Sequence, residues 1–234
     1  MLQRTPYPAP DMSRFSPSFH AFFQGLEAHN DREWYAEHKS DYEQHVRDPF
    51  KSFVNELILA CAEREDGYEG LQPKHCIFRI HRDTRFSKDK TPYKLHASAG
   101  ISPGGKKSSD PGLYIHADAH KVVIGGGAYW VEKEDLYFLR EKIARDPSAF
   151  NALLQNPSFA RDCGQILGER NVRVPKEFQD AAEVCPHILN KQFFYMTELP
   201  AKTLLHEGLV DVVMSYFDAA APMRAFLRSG LQAG

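Results

Sequence analysis

The spacing of large apolar side chains changes twice along the chain, and this change restricts the fold more than any other feature. In the first quarter, apolar residues such as Phe19, Phe22 and Leu26 recur every three or four positions, which is typical of amphipathic helices. From Cys76 the spacing becomes two, which is typical of strands with one buried face. After Glu132 the helical spacing returns. The sequence therefore predicts helices, then a sheet, then helices.

The predicted strands lie close together along the chain, with short loops of Gly, Pro, Ser and Asp between most of them. They cover residues 77–81, 95–101, 113–118, 121–125 and 192–198. Connections this short favour antiparallel pairing over parallel crossovers. We expect an α+β fold, with a single domain over residues 16–234 whose mainly antiparallel sheet, about residues 76–127, packs against N-terminal and C-terminal helices. Residues 1–15 are expected to form a disordered or extended tail.

Two helix starts can be recognised near the N-terminus. Ser16 precedes Pro17, and this pair suits an N-cap followed by the first helical position. Asn30 is followed three residues later by Glu33, the spacing of a capping box. We expect the second helix to begin at Asn30.

Composition places the chain among cytoplasmic proteins. The first residues carry prolines instead of an apolar run, and no later stretch approaches the length of a membrane span. No membrane association is therefore expected, and the sequence leaves the oligomeric state open. The cysteines are too irregularly spaced for a disulfide framework or a zinc finger, and we interpret them as buried thiols: Cys61, Cys76, Cys163 and Cys185.

Positive charge is concentrated in one part of a chain whose net charge is only −2. Residues 74–107 hold nine Lys or Arg and two acids, Asp83 and Asp89. The densest part, residues 79–94, is called the basic segment below. Its cations are Arg79, Arg82, Arg85, Lys88, Lys90 and Lys94. Such a cluster in an otherwise acidic chain predicts either an anion site or a segment neutralised within the fold.

These cations are the predicted ligand-binding residues. The Arg85 guanidinium can donate two parallel hydrogen bonds to a phosphate or carboxylate, and the lysines add point charges. We expect an anionic, phosphate-bearing partner, either a phosphorylated small molecule or a nucleic-acid backbone. In the alternative interpretation, Asp83 and Asp89 pair with the cations and fix a long loop, and the chain is a protein-interaction module with a structural basic loop.

An enzymatic alternative uses the same cations to stabilise charge during phosphoester hydrolysis or transfer. Its weak catalytic candidates are His81 or Asp83 as proton carrier and Tyr114 as the group that orients substrate. No pair of carboxylates at a recognisable spacing supports this alternative.

No cofactor or metal is expected. Gly100 to Lys106 has the glycine spacing of a P-loop, but Lys107 stands where Ser or Thr should hold magnesium, and the following residues cannot form the required helix. Strand alternation places His81, His96 and His116 on one face, where three imidazoles could bind zinc. The neighbouring cations disfavour a metal ion there, so we expect no metal site.

Several segments together resemble a known family, domain-of-unknown-function family 2461, over nearly the whole chain. They are Asn30-Asp31-Arg32-Glu33-Trp34, the Arg82 to Lys94 run, Gly112-Leu113-Tyr114, Gly125-Gly126-Gly127 and Ala221-Pro222-Met223. The resemblance implies a single α+β domain and stresses Arg79 and the 82–94 run, but not His81 or His96. It implies no particular activity, cofactor or substrate.

Overall fold

The computed structural model describes residues 14–231. None of the helices in this range is both long and apolar enough to cross a membrane. The α-helices are α1 (Pro17–Ala28), α2 (Arg32–Glu37), α3 (Lys39–Asp41), α4 (Asp48–Ala62), α5 (Pro73–Cys76), α6 (Lys133–Arg145), α7 (Pro147–Leu154), α8 (Pro157–Asp162), α9 (Gln179–Val184), α10 (Leu209–Ala219) and α11 (Ala221–Leu231). A π-helical turn (Tyr42–Arg47) precedes α4, and short 3-10 helices cover Lys176–Phe178, Pro186–Leu189 and Ala201–Leu205.

The sheet has four antiparallel strands in the order β1-β2-β3-β4, which confirms the predicted α+β fold. Its strands are β1 (His96–Ile101), β2 (Gly112–Asp118), β3 (Lys121–Ala128) and β4 (Phe193–Pro200). Each strand after β1 pairs with the strand that precedes it in sequence. The last strand joins the edge of β3 after a long helical excursion.

The predicted strand at residues 77–81 is wrong. Ile77 forms only an isolated pair with Ala99 on β1, and the chain leaves the sheet after Phe78, whose backbone N–H donates to Ser98 at 2.9 Å. Ile80 instead accepts a hydrogen bond from the backbone N–H of Lys94 at 2.8 Å. The N–H of Arg82 donates to Pro92 at 2.8 Å. The two ends of the basic segment therefore bind each other, and this local pairing replaces the expected pairing along β1.

The start of the second helix is also shifted. Asp31 caps α2, and its side chain accepts from the backbone N–H groups of Glu33 and Trp34. Asn30 instead exchanges two hydrogen bonds with the backbone of Tyr93, at 3.0 and 3.1 Å. An amide side chain carries both a donor and an acceptor, so Asn30 can hold the end of the basic segment against the N-terminal helices.

The predicted N-terminal tail lies outside the described residues except for its last two positions. Arg14 pairs with Glu56 on α4. Phe15 is buried and packs edge-on against Phe19 and Phe53, with ring centroids 5.3 and 5.6 Å away.

The buried side chains form two clusters that share the helix-facing side of one sheet. The first contains α1, α4, α10, the inner residues of β1 and β2, and Ile124 of β3. The second contains residues of α6, α7 and α11, with Phe193 of β4 and Ala128 of β3. Strand β3 therefore enters both clusters, and the turn between α10 and α11 passes from one to the other.

A buried ion network connects these two clusters. Arg224 on α11 is fully buried, donates to Glu65 just beyond α4, and lies over the Phe217 ring. Arg228 donates to the other Glu65 oxygen at 3.0 Å and to Asp110 at 2.6 Å. Burial alone would raise the pKa of Glu65, but the hydrogen bonds and charges of the two arginines lower it.

We expect Glu65→Gln to lower the free energy of unfolding by about 3–5 kcal/mol, because it leaves Arg224 buried without a counter-charge. The measurement is urea denaturation at neutral pH. Glu43→Gln is the control, because Glu43 forms a solvent-exposed pair with Arg47, and such pairs contribute about 0.3–0.5 kcal/mol. Equal effects of the two substitutions would contradict this role of Glu65.

Candidate functional site

The face of the sheet that points away from the helices forms the floor of a cavity of about 290 Å³. Tyr114 of β2 stands in this floor between Gly100 of β1 and Gly125 of β3, its partners on the neighbouring strands. Glycine carries no side chain, and the space above Gly100 and Gly125 is taken by Lys106 and Met196, which stand on either side of Tyr114. The Tyr114 ring is partly buried, and this burial raises the pKa of its phenol.

Two further glycines lie side by side at the end of the floor. Gly112 of β2 faces Gly127 of β3. A Cβ atom on Gly112 would collide with the carbonyl oxygen of Ile101, and Gly127 has a φ of +97° that other residues rarely adopt. Side chains are therefore excluded at this pair, because backbone atoms of Ile101 and Phe193 fill the space that a Cβ atom would need.

Two lysines form the wall beside β1. Their ammonium groups lie over the ring of Phe78, at 5.2 Å for Lys94 and 6.0 Å for Lys106. Lys106 also donates to the carbonyl oxygens of Ile77, at 2.7 Å, and Lys74, at 3.2 Å. The loop that carries Lys106 is thereby fixed over the start of the sheet.

Lys94 differs from Lys106 in its contacts. Within residues 14–231, its ammonium group forms no hydrogen bond or salt bridge with the protein. Burial lowers the pKa of Lys94, and the positive charges of Arg79 and Lys106 lower it further. Each of these three effects disfavours the charged form of Lys94, and an anion in the cavity would favour it.

The carboxylate at the cavity wall does not neutralise these lysines, because it is already paired. Asp110 lines the cavity, and its Oδ1 accepts a 2.6 Å hydrogen bond from Arg228 on α11. The wall formed by the loop between β1 and β2 is therefore tied to the buried ion network.

Aromatic side chains form the wall beside β3 and β4. Tyr129 and Trp130 follow β3 and are about half exposed. The Tyr129 ring lies 5.2 Å from that of Phe194 on β4 and 5.3 Å from that of Trp130. Met196 of β4 completes this wall. The cavity is thus cationic at one side and aromatic at the other.

A row of polar side chains runs along β2 from the cavity floor. The Tyr114 hydroxyl lies 3.4 Å from Nδ1 of His116, whose Nε2 lies 3.4 Å from Asp118. His96 of β1 stacks on His116, with ring centroids 4.5 Å apart. Burial, followed by the charges of His116 and Lys94, lowers the pKa of His96 to about 4. Phenol, imidazole and carboxylate therefore follow one another along β2, and the buried Nε2 of His116 has no hydrogen-bond partner among the described residues.

Of the residues predicted from sequence, Lys94 and Tyr114 line this cavity, as does His96. His96 and His116 share a face as expected. The expected place of His81 beside them is wrong, because its ring packs instead near Tyr35 and Tyr93. The reason is that the chain leaves the sheet after Phe78.

The remaining predicted residues lie along the loop of the basic segment. Arg82 pairs with Asp89, and Arg85 pairs with Asp83 at 2.7 Å. Lys90 donates to the carbonyl oxygen of Thr84 at 2.8 Å. Arg79 and Lys88 are exposed. Two of the arginines are thus already paired with carboxylates.

Sequence reasoning missed several cavity residues. Lys106 occurs in the segment rejected as a P-loop, and Tyr129 and Trp130 follow the glycines of β3 without any periodic signal. Alternation along β1 does place Ser98 beside His96 on the open face. The aromatic residues could have been noticed only as large side chains in a predicted loop.

Comparison with known protein families confirms the resemblance noted in the sequence. The family model described as "Conserved hypothetical protein (DUF2461)" matches residues 18–226. No curated protein matches the chain.

We expect the stability of the protein to fall between pH 6.5 and about 4 in part because of His96. An unfolded histidine takes up a proton near pH 6.5, whereas the folded ring resists protonation until about pH 4. Stability is therefore fully present above pH 6.5 and is lost as the pH falls. Urea denaturation from pH 7 to 4 should show a loss smaller by on the order of 2 kcal/mol in His96→Gln. An identical pH profile for the two proteins would contradict the burial of this ring.

Proposed function

The chain belongs to the DUF2461 family, and we propose that it binds a phosphate-bearing small molecule in the cavity on the open face of its sheet. Lys94 and Lys106 contact the anion. The observation that carries this proposal is Lys94, a half-buried ammonium group with no carboxylate partner among the described residues.

The electrostatics of the wall favour an anion. Two ammonium groups lie near one phenylalanine ring, and the nearby carboxylate of Asp110 is paired with Arg228. A buried charge without a partner carries a desolvation cost. A phosphate group between Lys94 and Lys106 supplies the missing counter-charge, so binding offsets the desolvation cost of the lysine ammonium groups.

The lysines also offer suitable donors. An ammonium group has three N–H donors, and Lys106 uses two of them on the carbonyl oxygens of Ile77 and Lys74. One donor remains, on a side chain that is already held in place. Lys94 keeps all of its donors, so the pair supports several hydrogen bonds to one phosphate.

The exposed cations of the basic segment act at longer range in this proposal. Arg79 lies close enough to Lys94 to lower its pKa, and Lys88 and Lys90 extend the positive potential outward. Such a potential raises the local concentration of anions and their rate of association. Arg82 and Arg85, with their paired carboxylates, contribute less charge.

We expect Lys94→Met to weaken binding of pyrophosphate and phenyl phosphate at least about tenfold, because one charge-assisted contact is lost. Isothermal titration calorimetry at low ionic strength is the measurement. Arg85→Ala is the matched control within the basic segment and should change affinity less than about threefold. Its thermal midpoint should also stay near the wild-type value, since the pair with Asp83 is solvent-exposed.

Wild-type protein that binds neither probe would refute the proposal. An unchanged affinity in Lys94→Met would refute the part given to Lys94. If Arg85→Ala loses all binding, the anion contacts the loop of the basic segment instead of the cavity.

A second candidate function is phosphoester hydrolysis or transfer, and the row of Asp118, His116 and Tyr114 favours it. In hydrolysis, water attacks phosphorus and the bond to the leaving oxygen breaks. Tyr114 donates its proton to that oxygen and regains one from His116, which takes up the proton that the attacking water releases. The lysines stabilise charge on the phosphoryl oxygens.

We expect Tyr114→Phe to slow hydrolysis of p-nitrophenyl phosphate by about 100-fold, the lower range for loss of a general acid. Release of p-nitrophenol is the measurement, and calorimetry with phosphate should show that binding is retained. Absence of release by the wild-type protein would remove this second function and leave the binding proposal in place.

A further inference from the structure

We propose that the ligand carries a planar aromatic ring joined to its phosphate through a spacer, as in a nucleoside monophosphate, and that the ring lies against Trp130 and Tyr129. This inference rests on the proposed binding function. It specifies the chemistry of the second part of the ligand, which lies away from the lysines.

The two walls of the cavity differ in chemistry because they rise from different strands. Lys94 precedes β1 and Lys106 follows it, whereas Trp130 follows β3 and Phe194 belongs to β4. Neighbouring strands lie about 4.8 Å apart, so the backbones that carry the two walls stand about 10–14 Å apart across the sheet. Lys94 also precedes the end of β1 that pairs with Asp118, whereas Trp130 follows the end of β3 that pairs with Gly112, so the two side chains attach to opposite ends of the sheet. A phosphate joined directly to a ring is too short to contact both walls closely, whereas a sugar-sized spacer provides the required length.

The aromatic wall has faces available for stacking. The exposed fraction of the side chain is 53% for Trp130 and 46% for Tyr129. Tyr129 packs on Phe194, which supports it from β4. Large exposed aromatic groups at a cavity rim stack well on planar rings, and one base–aromatic contact contributes about 1–3 kcal/mol to nucleotide binding.

The middle of the cavity suits a polar spacer. The Tyr114 hydroxyl rises from the floor between two glycines. Asp110 uses Oδ1 for Arg228, which leaves Oδ2 as an acceptor for a sugar hydroxyl. A cavity of about 290 Å³ lies at the small end of ligand pockets, about 300–1,000 Å³. The size therefore favours a mononucleotide over a dinucleotide.

The chain provides its own optical probe for this ligand. It has two tryptophans, Trp34 and Trp130. The Trp34 ring stacks on His38 at 4.0 Å in the N-terminal helices. Trp34→Phe keeps an aromatic ring there and leaves Trp130 as the single tryptophan, so a change in tryptophan fluorescence then reports on the cavity rim.

The experiment compares adenosine 5′-monophosphate, ribose 5-phosphate and adenosine. In Trp34→Phe, we expect adenosine 5′-monophosphate to quench Trp130 fluorescence. By calorimetry on the wild-type protein, it should bind at least tenfold more tightly than ribose 5-phosphate. Trp130→Leu should remove this tenfold advantage while leaving ribose 5-phosphate affinity unchanged. Tyr137→Leu, which removes an exposed ring outside the cavity, should preserve the advantage.

The outcomes separate this inference from the function on which it rests. If ribose 5-phosphate binds in a Lys94-dependent way and adenosine 5′-monophosphate binds no more tightly, the aromatic class is refuted and phosphate binding stands. If adenosine binds as tightly as its monophosphate and Lys94→Met has no effect, the phosphate proposal is refuted. If none of the three compounds binds while pyrophosphate still binds in a Lys94-dependent way, the aromatic class is refuted and phosphate binding stands.

Discussion

The arrangement of the sheet, the helices and the cavity depends on the buried guanidinium of Arg224. This group is removed from water, lies 3.4 Å from the centroid of the Phe217 ring, and pairs with Glu65, which is 159 positions away in sequence. A buried charge is tolerated only when its partners are in place. Helix α11 therefore cannot dock correctly until the turn after α4 is also in position. This requirement couples the two clusters of buried side chains into one cooperative unit.

The same network reaches the candidate site through Arg228. Its guanidinium donates to both Glu65 and Asp110 and pairs with no other acid within the described residues. Asp110 and Lys106 belong to the same loop between β1 and β2, so the C-terminal helix fixes one wall of the cavity. The carboxylate that would otherwise neutralise the lysines is held by this arginine. A contact that stabilises the fold thus also preserves the positive charge of the cavity.

Local patterns predicted the parts of this structure that local forces determine. Alternation located the strands and placed His96, Tyr114 and His116 on one face, because successive side chains of a strand point to opposite sides. The same rule failed at residues 77–81. Alternation was present there, but the backbone pairs with residues 92–94 instead of continuing along β1. Two features arise from tertiary packing: the hydrogen bonds between Asn30 and Tyr93, and the placement of Lys94 and Lys106 over one ring. No spacing along the chain encodes them.

The basic segment was predicted to be either a structural loop or an anion site, and its cations fall into two groups, those paired with carboxylates and those without such a partner among the described residues. Arg82 with Asp89 and Arg85 with Asp83 form neutral pairs, which suit a loop that must keep its shape. Lys94, at the end of the segment, has no such partner and lies in the cavity. The carboxylates of the loop thus pair with its arginines, and Lys94, the half-buried lysine of the basic segment, keeps its charge unpaired. A loop held by its own ion pairs can keep such a lysine in place without neutralising it, which is the arrangement that anion binding requires.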